Sequence, residues 1–131
     1  MQAQGKGRKI LVVDDCGDVA AFIVELCMKW GYSTTTAYDG IQAIEKAKEF
    51  RPDCIVMDIV MPKMDGFDAA VEILRFQPNC QFVFMSGSEE NRALMDEYRA
   101  RGHDFQVFLP KPFVVRDLRV ALGHAVYFSG E

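Results

Sequence analysis

The sequence predicts an α/β fold, a doubly wound five-stranded parallel sheet with helices on both faces. Four short apolar runs rich in Val, Ile and Phe, and one β-branched run, alternate with segments of helical periodicity. Short apolar runs of this kind are typical of strands that are buried on both sides, as in parallel sheets. The connections between successive elements are short, which favours consecutive elements that pack against each other.

The five predicted strands are spaced regularly along the chain. They cover residues 9–13, 32–37, 54–58, 81–85 and 105–109. The second run is polar and contains three threonines in place of aliphatic residues, so we expect it at an edge of the sheet. The sequence pattern alone leaves the order of the strands open.

Each predicted strand is followed by apolar residues at helical spacing, which predicts five helices with one buried face each. The predicted inward residues are Val19, Phe22, Ile23, Leu26, Cys27 and Trp30; Ile41, Ile44 and Ala47; Phe67, Ala70, Val71 and Leu74; Ala93, Leu94 and Tyr98; and Val114, Val115, Leu118, Ala121, Leu122, Ala125 and Val126. The fourth set, on a predicted helix over residues 89–101, is small. We therefore expect that helix to be the least firmly packed.

The chain length of 131 residues is that of one domain with its own core. We expect this domain over residues 9–128, between a flexible N-terminal tail at 1–8 and a short tail at 129–131. The net charge of −4 argues against nucleic acid as a direct partner.

Neither a signal-peptide core nor a membrane span is visible, so we expect a cytoplasmic protein without a membrane partner. The four cysteines show neither a CxxC pair nor a zinc spacing. We therefore expect reduced, mostly buried thiols, with Cys16 partly exposed.

Polar side chains stand at the ends of four predicted strands. Asp14 and Asp15 follow the first, Asp58 closes the third, Ser86 follows the fourth, and Lys111 comes shortly after the fifth. Ligand sites of parallel sheets lie beyond the carboxyl ends of the strands, so we expect these groups to converge. Carboxylate oxygens suit Mg²⁺, and an ammonium group suits a phosphoryl oxygen. The pattern predicts a site for a divalent cation and a phosphoryl group.

These motifs together resemble the response-regulator receiver domain of two-component signalling, in the CheY-like superfamily. The resemblance covers residues 9–128 and rests on Leu11-Val-Val-Asp-Asp15, Asp58-Ile-Val-Met-Pro62 with Met64-Asp-Gly66, Met85-Ser86 and Leu109-Pro-Lys-Pro-Phe113. It implies the flavodoxin-like strand order 2-1-3-4-5. It also implies a signalling switch, not an enzyme with a separate substrate. Its partners would be a histidine kinase or histidine phosphotransfer protein and an unidentified downstream protein or output domain.

The resemblance also implies a magnesium site. Asp15 would ligate Mg²⁺ directly, Asp14 would act mainly through a water, and Asp58 would supply a third oxygen. The backbone carbonyl of Val60 would add a further ligand. Because a backbone ligand places no demand on the side chain, valine at this position is compatible with the metal site.

The implied chemistry centres on Asp58 as the phosphoacceptor. Lys111 would pair with one phosphoryl oxygen and the Ser86 hydroxyl with another, and a cis Lys111–Pro112 bond would aim the lysine inward. Ser86 would then act as a switch with Phe108, three residues before the lysine, and change the face formed by helix 4, strand 5 and helix 5. Phe108 is equally well interpreted as a core aromatic.

The chain departs from the family pattern near the phosphoacceptor. Val60 and Ser88 would flank the path of an attacking water, and an apolar Val60 cannot orient that water, which predicts a long-lived phosphoryl group. The segment 89–106 is longer than usual and predicts an enlarged loop. His103 and His124 are the only histidines, and we expect both at the surface.

Two other functions fit parts of the pattern. One is a receiver-like protein-interaction module that acts without phosphorylation. The other is a metal-dependent phosphatase with an aspartyl nucleophile, but such enzymes use a second acid two residues after the nucleophile, where this chain has Val60. For the receiver interpretation we expect a monomer or a weak homodimer.

Overall fold

Five strands and five helices alternate along the residues that the computed structural model describes, which are 7–87, 90–103, 105 and 107–127. In chain order they are β1 (Lys9–Val13), α1 (Gly17–Lys29), β2 (Ser33–Ala37), α2 (Gly40–Phe50), β3 (Cys54–Asp58), α3 (Gly66–Phe76), β4 (Gln81–Ser86), α4 (Glu90–Ala100), β5 (Phe108–Pro110) and α5 (Val115–Tyr127). The alternation confirms the predicted α/β class.

All strand pairs are parallel, and the sheet order is β2-β1-β3-β4-β5. This order confirms the one implied by the family resemblance, and β2 lies at an edge as its composition predicted. Val13 pairs with Met57, and Asp58 pairs with Met85. This register brings the carboxyl ends of β1, β3 and β4 to the same edge of the sheet.

The sheet separates two apolar cores. Alternate residues of β1, β3 and β4 point to opposite faces, as the pleat of a strand requires. On one face they pack against α2, α3 and Tyr98 of α4, and on the other against α1 and α5. Every residue of β3 is buried. The central strand is therefore enclosed on both sides, and its side chains reach solvent only where the strand ends.

Two inward positions on the first helices were predicted wrongly. Phe22 of α1 and Ile41 of α2 are each 48% exposed. The sheet-facing positions are taken instead by Ala20 and Ala43, which are fully buried. Small residues let a helix backbone approach the sheet closely, and apolar periodicity by itself assigns the larger residue to the core.

The first turns of α4 and α5 also differ from the prediction. Val114 and Val115 are 57% and 41% exposed, and the buried stripe of α5 begins only at Leu118. Ala93 of α4 is exposed as well. Among the described α4 side chains, those of residues 93–100, Tyr98 alone is buried, in line with the thin packing expected for this helix.

Some element boundaries moved. β5 covers Phe108–Pro110, not 105–109, and Phe105 is buried ahead of the strand in an aromatic cluster. The helix α4 begins at Glu90, and residue 89 lies outside the described part of the chain. The predicted tails at 1–8 and 129–131 lie largely outside it too.

The described helices are 11 to 13 residues long. Within the described ranges, none combines the length and the apolar character that a membrane crossing requires.

Three of the four cysteines are ordinary core thiols. Cys27, Cys54 and Cys80 are buried and unpaired, and Cys16 is exposed, as expected. Burial raises the pKa of both Cys27 and Cys80 to about 12, which leaves these thiols protonated and unreactive.

The start of α3 is pressed against the end of β3. A Cβ atom on Gly66 would lie 2.4 Å from the carbonyl oxygen of Asp58 and 2.9 Å from Cγ of Met57. The Gly66 amide donates to the carbonyl of Ile59 at 2.9 Å. Only glycine allows this close approach, so residue 66 positions the backbone of Asp58.

We expect Gly66→Ala to destabilise the protein by about 1–3 kcal/mol in chemical denaturation, because the added methyl group must displace buried backbone. Gly17→Ala is the matched control, since a Cβ there meets no atom within 4 Å and the residue begins α1. We expect that change to be neutral or slightly stabilising. Equal losses in the two variants would contradict the close-approach argument.

Candidate functional site

Three carboxylates converge at the carboxyl edge of the sheet. Asp14, Asp15 and Asp58 each offer an oxygen, and these oxygens lie within 4.8 Å of one another. Asp14 is 1% exposed and Asp58 is 7% exposed, whereas Asp15 is exposed to solvent. The site is thus open on the side of Asp15 and closed around the other two acids.

The backbone around α1 holds Asp14 in place. The Asp14 amide donates to the carbonyl of Ala37 at 3.2 Å, which extends the pairing of β1 and β2 by one residue. Its Oδ1 accepts from the amide of Cys16 at 2.9 Å, at the start of α1. A carboxylate at a helix N-terminus is stabilised by the unpaired amides and the dipole of the helix.

Lys111 is shared between two of the carboxylates. Its Nζ lies 2.8 Å from Oδ2 of Asp14 and 3.5 Å from Oδ2 of Asp58. The Lys111 amide donates to the carbonyl of Ser86 at 2.8 Å, and the Lys111–Pro112 bond is cis, as the resemblance implied. Burial lowers the pKa of Lys111, but the hydrogen bond to Asp14 and the charge of Asp58 outweigh it and the net pKa is raised. The ammonium therefore keeps its charge.

Asp58 is the acid of the cluster whose charged form is least favoured. Burial raises its pKa to about 6; Lys111 opposes this shift, and the charge of Asp14 adds to it. One ammonium thus serves two buried carboxylates and does not fully compensate them. A hard divalent cation among these oxygens would supply the missing positive charge, so the donor set fits Mg²⁺.

The remaining predicted residues surround Asp58 to different degrees. Ser86 is buried at the end of β4, where it pairs with Pro110. Val60 is 59% exposed two residues after Asp58. Phe108 is half-buried and packs on the core formed with α2 and α3, so its ring is partly a core aromatic. Ser88 lies outside the described residues.

The loop after Asp58 is held by a tight turn and an ion pair that were not predicted from the sequence. Lys63 has a left-handed φ of 74°, and the Met64 amide donates to the Pro62 carbonyl at 2.8 Å, which closes a three-residue turn. The Lys63 ammonium lies 3.7 Å from Asp39, whose carboxylate also caps α2. The Asp-Gly pair that opens α2 signals the cap, but no local signal reveals the contact across 24 residues of chain.

Neither histidine takes part in the site. His124 is exposed, and His103 is half-buried and stacked against Phe105 at a centroid distance of 6.0 Å. Both line a cavity of about 560 Å³ with Gln81, the first residue of β4, so they lie towards the amino ends of the strands.

The chain matches a known family over most of its length. The family model described as response regulator receiver domain matches residues 10–123. Chemotaxis protein CheY of Thermotoga maritima is 35% identical over 108 residues, which cover 82% of this chain and 88% of that protein. The transcriptional regulatory protein PdtaR of Mycobacterium tuberculosis is 34% identical over 122 residues, which cover 91% of this chain and 57% of that protein.

A solved structure agrees with these matches. The response regulator receiver domain protein of Clostridium thermocellum superposes with a TM-score of 0.81 at 25% identity, covering 92% of this chain and 94% of that chain.

The raised pKa of Asp58 predicts a pH-dependent stability of the metal-free protein. Because the folded pKa of about 6 exceeds the usual aspartate pKa of 3.8, the folded state binds a proton more tightly, and stability rises as pH falls through 6 towards 4. We expect Asp58→Asn to stabilise the metal-free protein by roughly 1–2 kcal/mol at about pH 7.5. Denaturant titrations across pH in EDTA should show the difference in free energy of unfolding between Asp58→Asn and the wild type disappearing near pH 4. A difference that stays constant with pH would contradict the prediction.

Proposed function

This chain belongs to the response regulator receiver domain family, and on that premise we propose that it is a phosphoacceptor switch of a two-component or phosphorelay system. Receiver domains are signalling switches, and proteins of this family bind Mg²⁺ in general. In our proposal Asp58 accepts a phosphoryl group from a histidine kinase or histidine phosphotransfer protein. The observation that carries the proposal is the Asp58 carboxylate at the open edge of the sheet, beside the Lys111 ammonium and two further acids.

The acidic cluster would hold the magnesium ion. Asp15 is the exposed acid and would ligate it directly, Asp14 would act mainly through a water, and Asp58 and the carbonyl of Val60 would add further oxygens. When bound, Mg²⁺ would neutralise charge on the transferred phosphoryl group. It would also lower the pKa of Asp58, so that the nucleophile is ionised at neutral pH.

The transfer itself needs little covalent chemistry from the protein. An Oδ of Asp58 attacks phosphorus, an aspartyl phosphate bond forms, and the N–P bond of the donor phosphohistidine breaks with its electron pair returning to the imidazole. The Lys111 ammonium, 3.5 Å from Asp58, pairs with a phosphoryl oxygen, and the Ser86 hydroxyl donates to another. Asp58, Ser86 and Lys111 are therefore the proposed catalytic set.

Phosphorylation would then change the shape of a surface that partners bind. Movement of Ser86 towards the phosphoryl group vacates space for Phe108, which is half-buried on β5 next to Phe84. The population of the protein then shifts towards an active conformation, in which the face built by α4, β5 and α5 binds a downstream protein or an output domain. We further propose a cytoplasmic monomer or weak homodimer without direct nucleic-acid contact.

Phosphorylation is tested by incubating the protein with acetyl phosphate and Mg²⁺ and measuring its intact mass. We expect the mass of one added phosphoryl group, absent in Asp58→Asn and in EDTA, and present in Asp117→Asn, which removes an exposed acid of α5. A wild-type protein that binds Mg²⁺ but gains no mass would favour the phosphorylation-independent interaction module. Catalytic turnover of a small phosphate ester would favour the phosphatase alternative.

The side chain of Val60 predicts a slow loss of the phosphoryl group, because it cannot hydrogen-bond an attacking water. We expect a half-life of minutes or longer in the wild type and a several-fold faster decay in Val60→Asn, measured by mass spectrometry after the donor is removed. Val60→Ala, which is also apolar, is the control and should decay at a rate close to the wild type. A wild-type half-life of seconds would overturn this prediction.

A further inference from the structure

We propose that the hydrogen bond from Tyr98 to Asp68 is a latch that holds α4 against α3 in the unphosphorylated protein and weakens the affinity of Asp58 for a phosphoryl group. This inference rests on the proposed function and adds a regulatory element to it. It concerns residues outside the phosphoacceptor site, and it supplies a second connection between that site and α4, besides Ser86 and Phe108.

The latch joins two helices through a nearly buried tyrosine. The Tyr98 hydroxyl donates to Oδ1 of Asp68, and Tyr98 is 4% exposed. Its ring lies 5.2 Å from the ring of Phe67, and the guanidinium of Arg101 covers it at 4.9 Å. Burial, followed by the hydrogen bond to Asp68, raises the pKa of Tyr98, so the hydroxyl keeps the proton that it donates.

The latch is a major attachment of α4 among the contacts of its described side chains. Of the side chains of residues 93–100, only that of Tyr98 is buried. The ion pairs Asp96–Arg99 and Glu97–Arg101 join residues close in sequence and do not attach α4 to another helix. Exposed pairs of this kind contribute little to stability. Leu94 and Met95 are partly buried and pack against the same core, and Tyr98 adds a hydrogen bond to α3. The position of α4 therefore depends on Tyr98 together with these two side chains.

One cavity lies beside α4 and a second lies beside the segment that follows it. One, of about 320 Å³, is lined by Asp68, Tyr98 and Arg101. The other, of about 560 Å³, lies beneath the loop after α4 and is lined by His103 and Phe105. His103 lines both cavities. The segment after α4 is therefore less tightly packed than the core. The cavity beside Tyr98 therefore leaves space next to α4 in the resting structure.

The first turn of α3 connects this latch to Asp58. Asp68 lies two residues after Gly66, where a Cβ would lie 2.4 Å from the Asp58 carbonyl oxygen. Phe67, between them, is fully buried, with its ring 4.6 Å from that of Phe84 and 5.4 Å from that of Phe105. The same turn thus contacts the phosphoacceptor backbone on one side and α4 on the other.

Coupling of this kind must act in both directions. If the phosphorylated state releases the latch, then removing the latch must raise the affinity of the resting protein for a phosphoryl group by the same factor. A net hydrogen bond of ordinary strength corresponds to about a 3- to 10-fold change in affinity. A purely structural role for Tyr98 would lower stability but leave that affinity unchanged.

The test measures the affinity for beryllofluoride, a phosphoryl analogue, in the presence of Mg²⁺ by isothermal titration calorimetry. Tyr98→Phe keeps the ring and loses the hydroxyl. Tyr38→Phe is its control, because the Tyr38 hydroxyl accepts a hydrogen bond from Thr36 at 3.2 Å and lies far along the chain from α4. Asp68→Ala is compared with Asp68→Asn, since both remove the charge and only asparagine keeps an acceptor oxygen.

We expect about 3- to 10-fold tighter binding for Tyr98→Phe and the same difference between Asp68→Ala and Asp68→Asn. Without ligand, amide hydrogen exchange in α4 should accelerate in Tyr98→Phe and Asp68→Ala and stay at the wild-type rate in Tyr38→Phe. Affinities within 1.5-fold of the controls, or weaker binding, would overturn the latch. A variant too unstable to titrate is replaced by the Asp68 pair, which answers the same question.

The two proposals can fail separately. If the wild type binds Mg²⁺ but no beryllofluoride, the phosphoacceptor function fails and the coupling claimed for the latch fails with it. If the wild type binds beryllofluoride and the latch variants bind it equally well, the function stands and the latch alone is overturned.

Discussion

The shared ammonium of Lys111 is the interaction on which the rest of the site depends. Two carboxylates as deeply placed as Asp14 and Asp58 repel each other strongly, since little water screens them. Lys111, 2.8 Å from one and 3.5 Å from the other, makes their proximity tolerable without cancelling it. The residual imbalance appears as the raised pKa of Asp58. A fully compensated cluster would have no use for a further cation.

The same edge of the sheet links this charge cluster to the helices around it. Gly66 brings α3 against the backbone of Asp58, and Lys63 reaches from the intervening loop to the N-terminal cap of α2. The loop after Asp58 is thus held by contacts with two helices. Two residues after Gly66, Asp68 accepts a hydrogen bond from Tyr98 of α4, so α4 contacts the same turn of α3. A change in charge at Asp58 therefore acts on packed backbone and not on a free loop.

Features with a local sequence signal were predicted correctly, and features that depend on packing were not. The positions of the first four strands, the helix count and the polar residues at four strand ends followed from short apolar runs and their interruptions, whereas β5 begins three residues later than predicted. The strand order came from resemblance, because pairing between distant segments leaves no mark on their periodicity. Phe22 and Ile41 were assigned to the core, but Ala20 and Ala43 face the sheet in their place. Helix periodicity identifies a face, but the distance between helix and sheet decides which residue fits there.

What the sequence by itself determined is the inventory of the site, since Asp14, Asp58, Ser86 and Lys111 each follow a recognisable strand. A parallel sheet brings strand ends together whatever the details of its packing. Only the tertiary structure decided that the Lys111 ammonium lies closer to Asp14 than to Asp58, and that Tyr98 meets a residue 30 positions earlier. Such contacts depend on strand register and on how each helix lies against its neighbours, and both are set by the whole core at once.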